Sequence, residues 1–273
     1  MNPVIDPTRF LRLDAPNSLG ATSTGASFAT STGDVLEVSC FGPGVFRIRA
    51  GPNTRPDYGL VTGRSKACTV TQTSPETWTF ASGDATLELA GTPLRFRLLW
   101  KGRPVAQSVT DLHFRGWTRL PAFGRVRAAP CWSAAIALAS GEAVYGLGEK
   151  FGSLDKRGQL VRSEVEDALG VNTGDSYKST PFAWSPGTGN GAWGAFVNTP
   201  ARVTHGVGHP EWSHRSYAIV VDDEALDLFL FAASTPAGII DQYTQLTGRP
   251  PGVPRWSLGL WVSRAYYKTP EEA

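Results

Sequence analysis

The chain has 273 residues, long enough for one large β domain or two smaller ones, with 18% charged residues, 11% aromatics, 30 Gly and 20 Pro. That mixture suits many short strands joined by tight turns and excludes a helical bundle or a disordered chain. The net charge of +2, with signs interspersed and no Lys/Arg-rich run, leaves no electrostatic footprint for nucleic acid or an anionic membrane.

The opening stretch, MNPVIDPTRF, lacks the apolar core of a secretory signal, and no run of about 18 apolar residues follows. A cytoplasmic protein with no membrane span is the expectation. Residues 19–34, LGATSTGASFATSTGD, are rich enough in Ser, Thr and Gly to be expected as a mobile loop. Period-two alternation then takes over. Val35, Glu37 and Ser39 oppose Leu36, Val38 and Cys40, and GVFRIRA (44–50), ATLELAG (85–91) and LRFRLLW (94–100) alternate in the same way. Gly91-Thr92-Pro93 reads as a turn between the last two. GAWGAFVN (191–198), SYAIVV (216–221) and LDLFLFA (226–232) add strands, the last two flanking a hairpin at DDEA. At least eight strand candidates between residues 28 and 232 predict an antiparallel β-sandwich. Cys40, Cys68 and Cys131 are odd in number, with no CxxC or His/Cys cluster beside them, so reduced, partly buried thiols are expected and neither a metal nor a cofactor.

One helix is predicted before the tail. Ser234 or Thr235 caps it, Pro236 suits its first turn, Ile239, Ile240, Tyr243 and Leu246 form its apolar stripe, and Gly248 ends it. The stiff linker RPPGVPR (249–255) follows, and after it LGLWV alternates like a buried strand. Thr269-Pro270-Glu271-Glu272 then carries the signature of a helix start, with Glu272 placed to close a capping box on Thr269. A strand followed by a helix start opens an α/β unit, so a domain boundary is expected near residue 250. The alternative is a terminal turn packed on the sandwich.

Four segments in order carry a resemblance: VYGLGEKFGSLDKRGQ (144–159), DSYKSTPF (175–182), IIDQYTQLTGRPPGVPRWSLGLW (239–261) and SRAYY (263–267). Together they resemble glycoside hydrolase family 31, the retaining α-glucosidases and α-xylosidases. The resemblance covers about residues 30–273 and is densest from Val144 onward. It implies a galactose mutarotase-like supersandwich at residues 1–249, followed at 250–273 by a linker and the truncated start of a catalytic (β/α)8 barrel, with Trp256–Tyr266 on the first barrel strand. It implies an α-linked oligosaccharide as substrate and an aspartate nucleophile with an aspartate acid/base on later barrel strands, so no catalytic residue is assigned in this chain and the chain alone is expected to be inactive. Retaining hydrolysis needs two carboxyl groups about 5–5.5 Å apart. By resemblance, Asp167 lies on a loop reaching over the barrel mouth and Tyr266 lines the subsite for the non-reducing sugar. The family's aromatic and glycine pair around Asp167 are replaced here by Val165, Ala168 and Leu169. GLWVSRAYY is closer to the α-xylosidase branch than to the α-glucosidase branch.

Other clusters receive plainer readings. Glu164, Glu166 and Asp167 have nothing apolar beside them to raise a carboxyl pKa, so a solvated acidic loop is the better account. Lys150, Asp155, Lys156 and Arg157 read as a solvated charged loop with local ion pairs. His113, His205, His209 and His214 pair with no elbow serine or nucleophilic Cys, and His205 and His209 fall in a Gly-rich turn region. Trp184, Trp193 and Trp212 could stack on sugar or fill the core. Two further roles stay open: a stand-alone carbohydrate-binding sandwich, and an assembly module forming a homo-oligomer.

Overall fold

The computed structural model describes residues 6–52, 58–110, 120–166, 178–262, 264 and 266–272. After a 3-10 turn at Pro7–Arg9 come β1 (Leu11–Arg12), β2 (Asn17–Thr22), β3 (Gly25–Ala29), β4 (Val35–Gly42) and β5 (Val45–Gly51). The next five are β6 (Thr69–Ser74), β7 (Thr77–Ser82), β8 (Ala85–Gly91), β9 (Leu94–Trp100) and β10 (Arg103–Gln107). Then follow β11 (Phe123–Val126), β12 (Cys131–Ala137), β13 (Tyr145–Gly146), β14 (Gln159–Ser163) and β15 (Phe182–Ser185). The series closes with β16 (Ala192–Val197), β17 (Val203–Val207), β18 (Ser216–Val221), β19 (Leu226–Ala233) and helix α1 (Pro236–Thr247).

These strands pair antiparallel in three sheets. Eight strands run in the order β13-β15-β16-β19-β5-β4-β3-β2, six in the order β1-β11-β12-β18-β17-β14, and five in the order β10-β9-β8-β7-β6. One continuous core draws on all three, with Phe28, Leu36 and Ile48 from the first, Trp132 and Ile136 from the second, and Phe80 and Leu87 from the third. The antiparallel sandwich expected from the alternation is the fold found.

Strand pattern follows cover. β4 and β8 alternate buried and half-buried residues along their length, because one face of each meets the core and the other meets solvent. β19 is buried at every position. Its Leu226, Leu228 and Leu230 face the sandwich core, while Phe229, Phe231 and Ala233 face a second core under α1. Thr235 caps α1 by accepting the Gly238 N–H at 3.3 Å, Pro236 begins it and Gly248 ends it at φ +97. Ile239 and Leu246 are its buried residues, and Tyr243 packs face to face on Phe182 at 3.9 Å. Full burial of Ile239 contributes about 1.5–3 kcal/mol. Ile240 turns outward, 40% exposed, because one residue is a rotation of about 100° and carries it off the face shared by Ile239, Tyr243 and Leu246.

Three expectations are corrected here. Residues 19–34 are not a loop: β2 and β3 occupy most of the stretch, and Phe28 lies in the core opposite Leu36 of β4. Cross-strand pairing overrides the weak local preference of Ser, Thr and Gly. The alternation at LGLWV does not become a strand either. Arg255–Leu258 form a 3-10 turn, and no described residue between 250 and 272 belongs to a strand. A strand needs a neighbour to take its N–H and C=O groups. Here bonds close locally instead, from Gly259 N–H to the Trp256 carbonyl at 3.2 Å and from Trp261 Nε1 to the Ser257 carbonyl at 2.8 Å. The helix start at Thr269 is a single 3-10 turn, Pro270–Glu272, in which Glu272 accepts from the Lys268 N–H rather than that of Thr269.

Candidate functional site

The YGLG run of residues 145–148 explains how one end of the molecule is shaped. Gly146 and Gly148 have φ of +106° and +81°, and a Cβ there would lie 2.4 Å from the Phe182 carbonyl oxygen and 2.2 Å from that of Lys178. Only glycine allows both the conformation and the approach. Leu147 between them also has positive φ, +67°, and is held there by a fully buried side chain. The run zips onto residues 178–184: Leu147 N–H donates to the Phe182 carbonyl and Glu149 N–H to that of Lys178, each at 2.8 Å. Lys150 Nζ then donates to Ser179 Oγ at 2.8 Å, and Ser179 donates to the Glu164 carbonyl at 2.6 Å. Glu164 and Ser179 are thereby tied together.

Beside this tie lies a cavity of about 710 Å3, walled by Ser163 and Glu164, by Ser179 and Thr180, by Arg202, and by Tyr243 of α1. Phe196 and Leu60 add apolar surface. Behind Ser163 runs a buried polar chain. Ser163 Oγ is 3.0 Å from His205 Nε2, and His205 Nδ1 is 2.8 Å from the Tyr217 hydroxyl. The Tyr217 ring stacks on Trp193. Burial, reinforced by the Lys150 ammonium, lowers the His205 pKa to about 3, so the ring is neutral at physiological pH. Burial likewise raises the Tyr217 pKa and keeps its phenol protonated. A serine, a histidine and an orienting third group in line have the outline of a nucleophilic site. A base that weak cannot hold the serine proton near neutral pH, so this chain of groups fixes geometry rather than driving acyl transfer.

The structure relocates several residues singled out from the sequence. His205 lies on β17, not in a turn, and is fully buried. Lys156 is buried, with its amine on the Ser153 carbonyl at 2.8 Å and its pKa lowered by burial. Asp155 accepts the N–H groups of Val144 and Arg157, and Arg157 reaches the carbonyls of Glu142 and His214. Asp155, Lys156 and Arg157 thus brace the backbone, and Lys150 bonds the Ser179 side chain, instead of forming a solvated loop. Trp193 is core, donating to Glu142 Oε1 at 2.7 Å, and Trp184 packs against Tyr145. Trp212 covers Gly206, where a Cβ would lie 2.3 Å from its ring.

Glu164 has a 41% exposed side chain 4.0 Å from Arg202, and Glu166 is exposed. Asp167 and His113 lie outside the described residues. Tyr266 is 72% exposed on the tail and is not part of the cavity wall. The buried carboxylates are occupied: Glu142 by Trp193, Ser185 and the Ala139 N–H, Asp227 by Arg47 and Asn198, and Asp223 by Thr199. Among the described residues no group of three or more His, Cys, Asp or Glu gathers as a metal site, and no helix is long and apolar enough to cross a membrane. Cys40, Cys68 and Cys131 are free thiols, the last pushed up to about 12 by burial and the neighbouring Asp222.

Residues 35–205 match the family described as the glycosyl hydrolase 31 N-terminal galactose mutarotase-like domain. The chain belongs to that family. The match runs from the start of β4 to His205, so this family 31 domain contains the YGLG zipper and most of the cavity wall. An α-xylosidase of Emericella nidulans is 37% identical over 133 residues, 49% of this chain and 16% of its own length. The α-glucosidase 2 of Bacillus thermoamyloliquefaciens is 34% identical over 131 residues, 47% of this chain and 16% of its own. The chain thus spans about a sixth of the length of these curated relatives. Among solved structures, the cycloalternan-forming enzyme of Listeria monocytogenes, in complex with a pentasaccharide substrate, superposes with a TM-score of 0.74 at 20% identity, over 92% of this chain and 24% of that one. A family 31 α-xylosidase from a soil metagenome, complexed with xylose, gives 0.67 at 20% identity over 88% and 36%. These two likenesses carry the fold of the family 31 domain.

Proposed function

We propose that this chain is the N-terminal domain of a retaining α-glycosidase that hydrolyses α-linked xylosides or glucosides. The observation that carries the reading is the family match over residues 35–205, together with matched stretches that cover only about a sixth of the α-xylosidase and α-glucosidase relatives. The occupied state of Glu142, Asp223 and Asp227 supports its corollary, that the two catalytic carboxyl groups come from elsewhere in a longer protein and that this chain alone is inactive. On this reading residues 1–249 are the sandwich, and residues 250–273 lead into a catalytic barrel whose first strand forms once a neighbouring strand pairs with it. Asp167 then faces the leaving-group subsite and Tyr266 the non-reducing sugar. The xyloside is the preferred substrate of the two, and the enzyme works in the cytoplasm.

The test is turnover of p-nitrophenyl α-xyloside and α-glucoside by the 273-residue chain and by the longer natural protein. The expected result is none for the chain and retention of anomeric configuration for the longer protein. Turnover by the chain alone overturns the reading.

A further inference from the structure

The cavity beside the Glu164–Ser179 tie has a recognition chemistry of its own, set by where the protons of the buried chain must lie. Neutral His205 carries one ring N–H. Placed on Nδ1, it would point at the Tyr217 oxygen, and the phenol proton would have no acceptor inside a fully buried site. An orphan of that kind is disfavoured. Placed on Nε2, it donates to Ser163 Oγ while Tyr217 donates to Nδ1, and the two fully buried groups, His205 and Tyr217, both have their protons accepted. The Ser163 hydroxyl already accepts from the ring, so its own proton is free to be donated into the cavity that Ser163 lines.

Two more polar groups converge there. Glu164 offers carboxylate acceptors on a side chain 41% exposed, and Thr180 offers a hydroxyl that no described residue engages. Tyr243, fixed by its stacking on Phe182, supplies a flat apolar wall. Local charge is balanced: Glu164 and Asp222 are negative, Arg202 and Lys150 positive, with Arg202 donating to Asp222 at 2.8 Å. A donor, acceptors and a hydroxyl beside an aromatic face, without net charge, suit a ring that alternates hydroxyls with flat C–H surface. A volume of about 710 Å3 falls within the span of about 300–1,000 Å3 usual for small-ligand clefts.

We propose that this cavity binds a neutral pyranose sugar of one or two rings, held by Ser163, Glu164 and Thr180 against the Tyr243 ring, at a site that does no chemistry. Isothermal titration and ligand-observed NMR on the full 273-residue chain, with maltose and with xylose as probes, test it. Saturable binding is expected, weakened about fivefold or more by Glu164→Ala and by Thr180→Val, each removing one hydrogen bond from the sugar. Ser163→Ala should weaken it similarly but also touches the buried chain, so the other two variants carry the decision, with an unchanged unfolding midpoint as the control. Absence of saturable binding by both sugars overturns the proposal, as does binding that neither Glu164→Ala nor Thr180→Val alters. The glycosidase reading is tested separately by turnover and survives either failure.

Discussion

Removing the Glu142 carboxylate is expected to expose how much one buried acceptor stabilises this sandwich. Oε1 takes the Trp193 indole N–H at 2.7 Å and the Ser185 hydroxyl at 2.9 Å, while Oε2 takes the Ala139 N–H at 2.8 Å. Trp193 and Ser185 are buried, so both donors are stranded when the acceptor goes, whereas Ala139 is exposed and can turn to water. Each stranded donor costs about 1–3 kcal/mol. Glu142→Ala should therefore lose about 3–4 kcal/mol once some relaxation is allowed, lowering the unfolding midpoint by roughly 10 °C for a domain of this size. Glu142→Gln keeps a carbonyl oxygen for both buried donors and turns its amide toward the solvent-accessible Ala139, so about 1 kcal/mol should be lost. Urea unfolding followed by tryptophan fluorescence measures both. If Glu142→Ala falls within about 1 kcal/mol of the parent, or Glu142→Gln costs as much as Glu142→Ala, the stranded-donor argument fails.

Two further outcomes are expected. His205 has a folded pKa of about 3 against an ordinary value of 6.5, so the unfolded chain binds its proton first and stability falls as pH drops below about 6.5. The slope approaches about 1.4 kcal/mol per pH unit, and it should be missing from His205→Gln; unfolding curves that run parallel for parent and variant from pH 7 to about 4.5 would refute the burial argument. Gly148→Ala places a Cβ 2.2 Å from the Lys178 carbonyl oxygen at φ +81°, whereas Gly102→Ala at φ +73° meets open space. The first should cost about 2–4 kcal/mol and the second about 1, and equal losses in urea would show that the zipper tolerates displacement.

Legibility in the sequence tracked how local the cause was. β4 and β8 could be read because one face of each is wet, so their burial alternates within a few residues. α1 could be read from Thr235, Pro236 and Gly248, all local punctuation. The β2–β3 hairpin could not, since Ala26 and Phe28 are the only apolar side chains it buries and the pairing with Val38 and Leu36 is what makes it a strand. The site was less legible still. Ser163, His205 and Tyr217 come from β14, β17 and β18 and meet across cross-strand register, Val161 opposite His205 and Val207 opposite Tyr217. The one local signal was alternation in VTHGV, where His205 shares a face with Val203 and Val207. Lys156 misled because its charge suggested solvent while the backbone carried it inward.

The tail misled in the opposite direction, and its exposure bears on the proposed function. Trp256, Leu258, Leu260, Trp261 and Val262 are 72%, 74%, 93%, 68% and 89% exposed, a denser run of exposed large apolar side chains than elsewhere among the described residues. Full burial of five such side chains would contribute about 1.5–3 kcal/mol each, more than the net stability of many domains. Clustered exposure on that scale marks a surface that something else covers. The linker before it holds Pro250, Pro251 and Pro254, which disfavour continuation of α1 into the tail. On the proposed function, a catalytic barrel would supply the strand that LGLWV lacks as a neighbour and the apolar surface that covers its side chains. The alternating pattern alone does not make a strand in this structure, since a strand's hydrogen bonds belong to a pair and not to one segment.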